Sequence, residues 1–140
     1  MRTFKDLEVW KKCRQLRQEI WLLVKEFPPE EKYRLSDQLI RSSRSPSAQI
    51  AEGYGRYHFQ ENVQFCRIAR GSLYEVLDHL TVCLDSEYIT SAKHDAIENL
   101  TYECIRLLNG YINYLIKSKN ESKNGEVNDE YQNYDAGNQT

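Results

Sequence analysis

The sequence predicts an all-α protein, an antiparallel up-down four-helix bundle. Two segments repeat apolar residues at alternating intervals of three and four, which is the spacing of a bundle seam. No segment alternates apolar and polar residues over the length of a strand. The breaks between the apolar segments are short, and short connections place consecutive helices side by side with axes about 20° from antiparallel. We therefore expect residues 1–118 to form a single helical bundle.

The first helix is predicted over residues 4–27. Thr3 is a typical N-cap residue, and Trp10 begins an apolar stripe. Pro28 and Pro29 end the helix, because proline lacks a backbone donor and forces the preceding residue out of the helical region. The stripe between these limits has the bundle-seam spacing and consists of Cys13, Leu16, Ile20, Leu23 and Phe27.

The remaining helices follow from the same kind of pattern. Ser36 is a suitable N-cap for the second helix, and Thr90 or Ser91 for the fourth. The seam of the fourth helix consists of Ile97, Leu100, Cys104, Leu107 and Tyr111. The predicted bounds of these three helices are 36–57, 60–86 and 91–117.

Residues 119–140 are predicted to form a disordered, acidic and polar tail. This segment is rich in Asn, Glu, Asp, Lys, Gly and Gln and holds few large apolar side chains. Such a composition cannot bury enough apolar surface to offset the entropy lost on ordering.

Charge is unevenly distributed along the 140 residues, although the formal net charge is only −2. Residues 1–56 carry four more basic than acidic residues, and residues 121–140 carry four more acidic than basic residues. A basic first half is compatible with an ordinary solvated surface and with contacts to phosphate groups. Charge alone leaves both interpretations open.

The reactive residue types give no indication of an enzyme. The four cysteines lie far apart within apolar stripes, so we expect reduced core thiols rather than a metal or redox site. The three histidines have no metal-ligand spacing and are expected at the surface or at an edge. We therefore expect no catalytic residues, no metal and no cofactor. The cysteines are Cys13, Cys66, Cys83 and Cys104, and the histidines are His58, His79 and His94.

The N-terminal segment "MRTFKDLEVW" has no apolar signal-peptide core, and no apolar run in the chain approaches membrane length. We therefore expect a cytoplasmic protein.

The stretch "RSSRSPSAQIAEGYGR", residues 41–56, is unusual for a helix. It contains Pro46, which should kink the helix, and Gly53 and Gly55, which should let a neighbouring backbone approach. Polar residues of mixed sign follow one arc of the helix, whereas a solvated face is usually rich in Lys and Glu. The arc consists of Gln38, Arg41, Ser45, Gln49, Glu52 and Arg56.

The third helix raises a related problem at Arg70, which falls near the middle of its apolar arc. A buried guanidinium needs a partner. Glu52 on the second helix is the natural candidate, and the alternative is that Arg70 extends along the seam edge to solvent. Gly71 should again permit close helix contact. These residues predict a polar interface or assembly surface made of Arg41, Ser45, Gln49, Glu52, Arg56, Arg70 and Ser72.

Three blocks, "FKDLEVWKKC", "LIRSSRSPSAQIAEGYGR" and "FCRIARGSLYEV", resemble the signature blocks of a known family. These are the four-helix-bundle proteins encoded in intervening sequences of bacterial 23S ribosomal RNA genes. The resemblance covers about residues 3–117. It implies a left-handed up-down bundle that assembles into a homopentamer. The sequence is also similar to the accessory protein of diversity-generating retroelements, a pentameric barrel that binds reverse transcriptase and nucleic acid.

The sequence departs from the usual family pattern at four places. Pro46 stands one position early in the motif, and Gln49 replaces an asparagine whose amide chemistry it can retain. Arg44 replaces a usually apolar residue and adds positive charge. Arg34 stands where glycine is common before the second helix.

Together these observations predict a non-enzymatic homo-oligomer that binds RNA or DNA, since a ring would multiply any basic surface of one chain. The alternative is a protein-interaction scaffold that docks a partner enzyme such as a reverse transcriptase. No membrane partner is expected. The candidate phosphate-contacting residues are Lys5, Lys11, Lys12, Arg14, Arg17, Arg34 and Arg44.

Overall fold

The structure is a computed structural model that describes residues 3–123. Within these residues there is no strand, and the prediction of an all-α protein with four helices is confirmed. Two short 3₁₀ turns, Phe4–Asp6 and Pro29–Glu31, precede the first and second helices. The helices are α1 (Glu8–Val24), α2 (Leu35–Gly55), α3 (Phe59–Asp85) and α4 (Ser91–Lys123).

Each helix packs against two others, so that the four enclose one core. Helix α1 lies against α2 and α4, and α3 lies against the same two helices from the other side. The interior is closed by large side chains with no or almost no exposed surface. Those from α1 and α2 are Leu16, Ile20, Leu39 and Ile50, and those from α3 and α4 are Leu73, Leu80, Ile97, Leu108, Tyr111 and Leu115. None of the described helices is both long and apolar enough to cross a bilayer.

The first predicted helix, 4–27, is divided in the structure. Thr3 is an N-cap as predicted, but it caps the short 3₁₀ turn, where its backbone N–H donates to Asp6 Oδ2 at 3.1 Å. Leu7 is extended and fully buried, and α1 begins only after it. Burying Leu7 in the core therefore interrupts the helical backbone.

The ends of α2 also differ from the prediction. Ser36 does not cap the helix; it is buried inside it. The first free N–H, that of Leu35, instead donates to Glu31 Oε2 at 3.2 Å, since the preceding 3₁₀ turn brings that carboxylate to the helix start. At the other end α2 stops at Gly55. Tyr57, the last residue of the predicted second helix, has a φ of 54° and is exposed, because the chain there turns towards α3.

The later boundaries agree more closely. Thr90 Oγ1 accepts a hydrogen bond from the backbone N–H of Lys93 at 3.1 Å, as predicted for the start of α4. Helix α4 continues to Lys123, so the first five residues of the predicted tail, 119–123, are helical. The rest of that prediction, for residues 124–140, lies outside the described residues.

All four cysteines are buried free thiols, as the sequence predicted. Burial raises the pKa of Cys66 and of Cys83 to about 12. A hydrogen bond with Cys104, together with burial, raises the pKa of Cys13. The thiols of Cys13, Cys66 and Cys83 are therefore protonated core groups at neutral pH.

The glycines of α2 and α3 behave differently from one another. A Cβ on Gly53 would lie 2.7 Å from Asn62 Oδ1 and 2.9 Å from Phe65 Cβ, so the end of α2 meets the start of α3 at a distance that only glycine permits. A Cβ on Gly55 or Gly71 would meet nothing within 4 Å. The predicted close approach is therefore confirmed at Gly53 and is wrong for the other two within this chain, because both face away from the neighbouring helix.

We expect Gly53→Ala to destabilise the protein by about 1–3 kcal/mol, because the added methyl forces α2 and α3 apart. The matched control is Gly55→Ala, which should be neutral or stabilising by up to about 1 kcal/mol, since alanine favours the helix and has space there. Urea unfolding followed by circular dichroism measures both. Equal stability of the two variants would contradict the close contact.

A second prediction concerns stability at alkaline pH. The Cys66 thiol ionises at about pH 8.5 in an unfolded chain and only at about 12 in the folded one. The contribution of this thiol to the free energy of unfolding is therefore fully present below about pH 8.5. It is lost as the pH rises towards 12, by up to about 1.4 kcal/mol per pH unit. Urea unfolding at several pH values above this point should show a shallower loss for Cys66→Ala than for the unaltered protein. Parallel pH profiles would contradict it.

Candidate functional site

A groove runs between α1 and α2 and consists of two adjoining cavities of about 370 and 510 Å³. Arg17 and Arg44 line both cavities and so mark their junction. Among the residues described, the lining contains no carboxylate. Phe4, Trp10, Ser47, Ala48 and Ala51 complete the first cavity, and Gln18, Trp21 and Leu22 complete the second.

The helical repeat of α1 separates its charges into two faces. At about 100° per residue, Arg14, Arg17, Trp21 and Lys25 follow one another along the groove side. The acidic residues of α1, Glu8 and Glu19, lie about 140–160° around the helix from Trp21. The groove side of α1 is therefore positively charged without an acidic residue beside it.

Two aromatic rings of the groove have cations close to them. The Arg44 guanidinium lies 5.5 Å from the centre of the Trp21 ring, and Lys25 Nζ lies 5.0 Å from it. Arg14 lies 5.8 Å from the centre of the Trp10 ring. Trp10 is buried, whereas Trp21 is 44% exposed and its neighbour Leu22 is 62% exposed. The second cavity thus offers an accessible indole among cations.

A hydrogen bond across the groove holds the side chain of Arg17 in place. Arg17 Nε donates to Ser47 Oγ at 3.3 Å, which ties the guanidinium of α1 to α2. Ser47 is itself buried, and its hydroxyl lies 3.3 Å from the Arg44 carbonyl oxygen. The position of Arg17 is therefore set by packing between two helices.

The structure brings together three of the predicted phosphate-contacting residues, Arg14, Arg17 and Arg44. The others lie apart from the groove. Lys11 pairs with Glu8 at 3.2 Å, and Lys12 pairs with Glu103 on α4 at 3.5 Å. Lys5 is exposed on the first 3₁₀ turn, and Arg34 is exposed immediately before α2.

Sequence reasoning missed Lys25 and did not connect Trp21 with the arginines. The spacing of Arg17, Trp21 and Lys25 at intervals of four was a readable signal, since residues four apart are neighbours on a helix. The face of α2 that packs against these residues of α1 could not be predicted from sequence spacing in the same way.

The predicted polar interface corresponds in part to a second groove, of about 410 Å³, between α2 and α3. Ser72 Oγ donates to Ser45 Oγ at 2.9 Å, so these two predicted residues do meet. Arg41 is largely exposed and pairs with Asp37 at 3.7 Å. The lining, of mixed sign, consists of Gln38, Arg41, Ser42, Ser45, Ser72, Glu75 and His79.

The remaining members of the polar arc do not form one site. Glu52 Oε1 accepts a hydrogen bond from Arg56 at 3.2 Å, and both side chains are about half exposed. The Gln49 side-chain oxygen is buried and accepts no hydrogen bond from the described residues. The arc is therefore partly a solvated face and partly a helix contact.

The predicted pair of Arg70 and Glu52 is wrong. Arg70 is partly buried, and its Nη1 donates to Asn109 Oδ1 on α4 at 2.8 Å. Helix α3 lies between α2 and α4, so an arginine near the middle of its apolar arc can turn towards either neighbour. Here a neutral amide oxygen satisfies the guanidinium, and Glu52 keeps its partner on its own helix.

The histidines differ from expectation at one position. His58 is exposed and His79 is half-buried, as predicted, but His94 is buried. Its Nδ1 lies 3.0 Å from Asp95 Oδ1, and its Nε2 lies 3.5 Å from Glu98 Oε2, because both carboxylates are close on the same helix. Across residues 3–123, no group of three or more His, Cys, Asp or Glu residues is arranged to hold a metal ion.

We expect Arg70→Ala to cost about 1.5–3 kcal/mol, the range for a hydrogen bond to a charged group. A double-mutant cycle with Asn109→Ala should show coupling, because the two side chains touch. The control cycle, Arg70→Ala with Glu52→Ala, should be additive. Urea unfolding of the six proteins in both cycles decides between the partners, and coupling to Glu52 alone would contradict the structure.

Comparison with solved structures identifies a similar bundle. It is the crystal structure, at 1.70 Å resolution, of a protein with unknown function from the S23 ribosomal protein family from Bacteroides thetaiotaomicron VPI-5482. The TM-score is 0.69 and the sequence identity is 28%, over 74% of this chain and 97% of that one. No curated protein sequence matches the chain.

Comparison with protein families gives a match over most of the chain. Residues 5–110 match the family described as 23S rRNA-intervening sequence protein. This range begins before α1 and ends within α4, so it contains all lining residues of both grooves except Phe4. The chain belongs to the 23S rRNA-intervening sequence protein family.

Proposed function

We propose that this protein is a cytoplasmic, non-enzymatic homo-oligomer that binds nucleic acid through the groove between α1 and α2. The observation that carries the proposal is the groove's charge. Arg17 and Arg44 converge there, Arg14 and Lys25 flank them, and no carboxylate lines either cavity within the described residues.

The physical argument is the release of counterions. Arginine and lysine that neutralise phosphates release the ions condensed on a nucleic acid, and this supplies most of sequence-independent binding. A guanidinium also matches a phosphate with two parallel hydrogen bonds. The net charge of −2 does not oppose this mechanism, because local charge acts within about 10 Å at moderate salt.

We also infer that neighbouring helices run antiparallel in a left-handed bundle, as the family resemblance implies. Contacts between opposite helix ends support the antiparallel part. Gln60 near the start of α3 accepts from Lys119 near the end of α4, at 3.4 Å. The end of α2 at Gly53 meets the start of α3 at Asn62. The groove would then run along the paired lengths of α1 and α2.

The proposed assembly is a pentamer. Besides the family resemblance, the outer surface of α3 supports it, since Ile68 and Tyr74 are each 53% exposed and Gly71 between them faces open space. Such a surface lets a helix of a second copy approach closely. Five copies would repeat the basic groove around a ring.

The alternative is a scaffold that docks a protein such as a reverse transcriptase, by analogy with retroelement accessory proteins. The groove between α2 and α3, lined by Arg41, Glu75 and His79 among others, is of mixed sign and suits a polar protein surface better than a phosphate backbone.

The assembly prediction is tested by sedimentation. We expect a species of five times the 16.6 kDa of one chain. Ile68→Glu should dissociate it without unfolding the monomer, because a charge on an exposed site disrupts only an intermolecular apolar contact. Tyr102→Glu, at a similarly exposed position on α4, is the control. A monomer of the unaltered protein at micromolar concentration would reject the assembly.

The binding prediction is tested by fluorescence anisotropy with structured RNA and duplex DNA at several salt concentrations. Exchanging Arg17 and Arg44 for glutamine should weaken binding and reduce the log–log salt slope by about two, at roughly 0.9 per duplex phosphate contact. Exchanging Lys11 and Lys12 for glutamine should reduce the affinity and the salt slope less, because both lysines already pair with carboxylates.

Failure to bind either nucleic acid at micromolar protein and low salt would remove the proposed function. The scaffold hypothesis would then be the better account.

A further inference from the structure

The exposed indole of Trp21 is not explained by a purely electrostatic groove. It lies 44% exposed on a charged helix face, and it is bordered by Leu22, which is 62% exposed. A site that contacts only phosphates has no need for an accessible ring and an apolar side chain between its cations. Unpaired nucleic acid, in contrast, presents both phosphates and flat aromatic faces.

We propose that the α1/α2 groove binds unpaired nucleotides, with one base stacked on Trp21 and the adjoining phosphates held by Arg17, Arg44 and Lys25. This inference rests on the proposed function and narrows it to single-stranded RNA or DNA. Bases within a duplex keep their faces stacked on one another and cannot use the indole.

The cavity beside Trp21 has a suitable size and lining. Its volume of about 510 Å³ lies within the range of about 300–1,000 Å³ typical of small-molecule pockets. Leu22 supplies an apolar wall, and Gln18 supplies an amide that can donate to or accept from a base edge. Leu22 and Gln18 could therefore contact the base, and the two arginines could contact the phosphates.

The cations now on the indole do not block this arrangement. Lys25 and Arg44 lie 5.0 and 5.5 Å from the ring centre, and both side chains are exposed. A base that stacks on the ring displaces a cation from it, and the displaced side chain remains within reach of the phosphate. Arg17 is held by Ser47 and need not move.

The arrangement of charge around Trp21 also favours a polyanion. The acidic residues of α1, namely Glu8 and Glu19, lie on the opposite side of that helix. On α2 the nearest carboxylate along the face of Arg44 is Asp37, two turns away, and it already pairs with Arg41. An anion in the groove therefore meets cations before it meets a carboxylate.

The experiment uses the full chain and labelled strands of about 12 nucleotides, within the usual site size for single strands. The probes are oligo-U, oligo-dT, an abasic strand of the same length, and a matched duplex, each titrated at low salt. We expect both base-bearing single strands to bind more tightly than the abasic strand. Tighter binding of oligo-U than of an oligo-dU of the same length would show that the groove also reads the 2′-hydroxyl.

Three variants test the role of the ring. Trp21→Ala should lower affinity for oligo-U and oligo-dT by about 5- to 150-fold, the range for loss of one stacked base, and should leave affinity for the abasic strand unchanged. Trp21→Phe keeps a ring and should restore most of the loss. Tyr33→Ala is the control, because Tyr33 is also exposed and lies 5.3 Å from a lysine, Lys32, but is outside the groove.

A second measurement does not depend on the stability of the alanine variant. In a Trp10→Phe background Trp21 is the sole tryptophan. Oligo-dT should quench its emission with the same Kd as an anisotropy titration of that same variant gives. Binding without quenching, or equal affinity for abasic and base-bearing strands, would overturn the inference and leave the proposed function intact. Loss of the oligomer in Trp21→Ala would also overturn it, because the groove would then be a subunit contact. No binding of any probe would remove both.

Discussion

The close contact between the end of α2 and the start of α3 is the constraint on which the rest of the bundle depends. Gly53 leaves no room for a Cβ against Asn62 and Phe65. Asn62 is fully buried, and its amide donates to the Tyr111 hydroxyl on α4 at 3.2 Å. Because one buried asparagine touches both neighbours of α3, three helices are fixed at the same end of the bundle.

The groove follows from this placement of α2. With one side of the helix held against α3, another side lies against α1, where Ser47, Ala48 and Ala51 are too small to fill the space. The larger groups along it, Arg17 and Arg44, are cations that keep their charge towards solvent. Gly53 is therefore required for the packing of α2 against α3, and the groove lies on another side of the same helix.

Much of the fold could be predicted because it depends on periodicity. The seams of α1 and α4, the free cysteines and the contact at Gly53 all follow from which residues share a helix face. Arg70 shows where this reasoning stops, since the arc of α3 faces two helices and only their relative placement selects Asn109 over Glu52. Predicting the groove also required the relative placement of the helices, because Arg44 and Trp21 are on different helices. His94 was misjudged because its carboxylate partners, Asp95 and Glu98, were not considered.

The proposed function requires that the groove between α1 and α2 stays open to ligand in the proposed pentamer. Acrylamide quenching of Trp21 in a Trp10→Phe background, measured on the assembled protein without nucleic acid, tests this most directly. We expect efficient quenching and a red-shifted emission, as for an indole 44% exposed to water. A blue-shifted emission that acrylamide does not quench would show that another subunit covers Trp21, so that the groove could not bind nucleic acid.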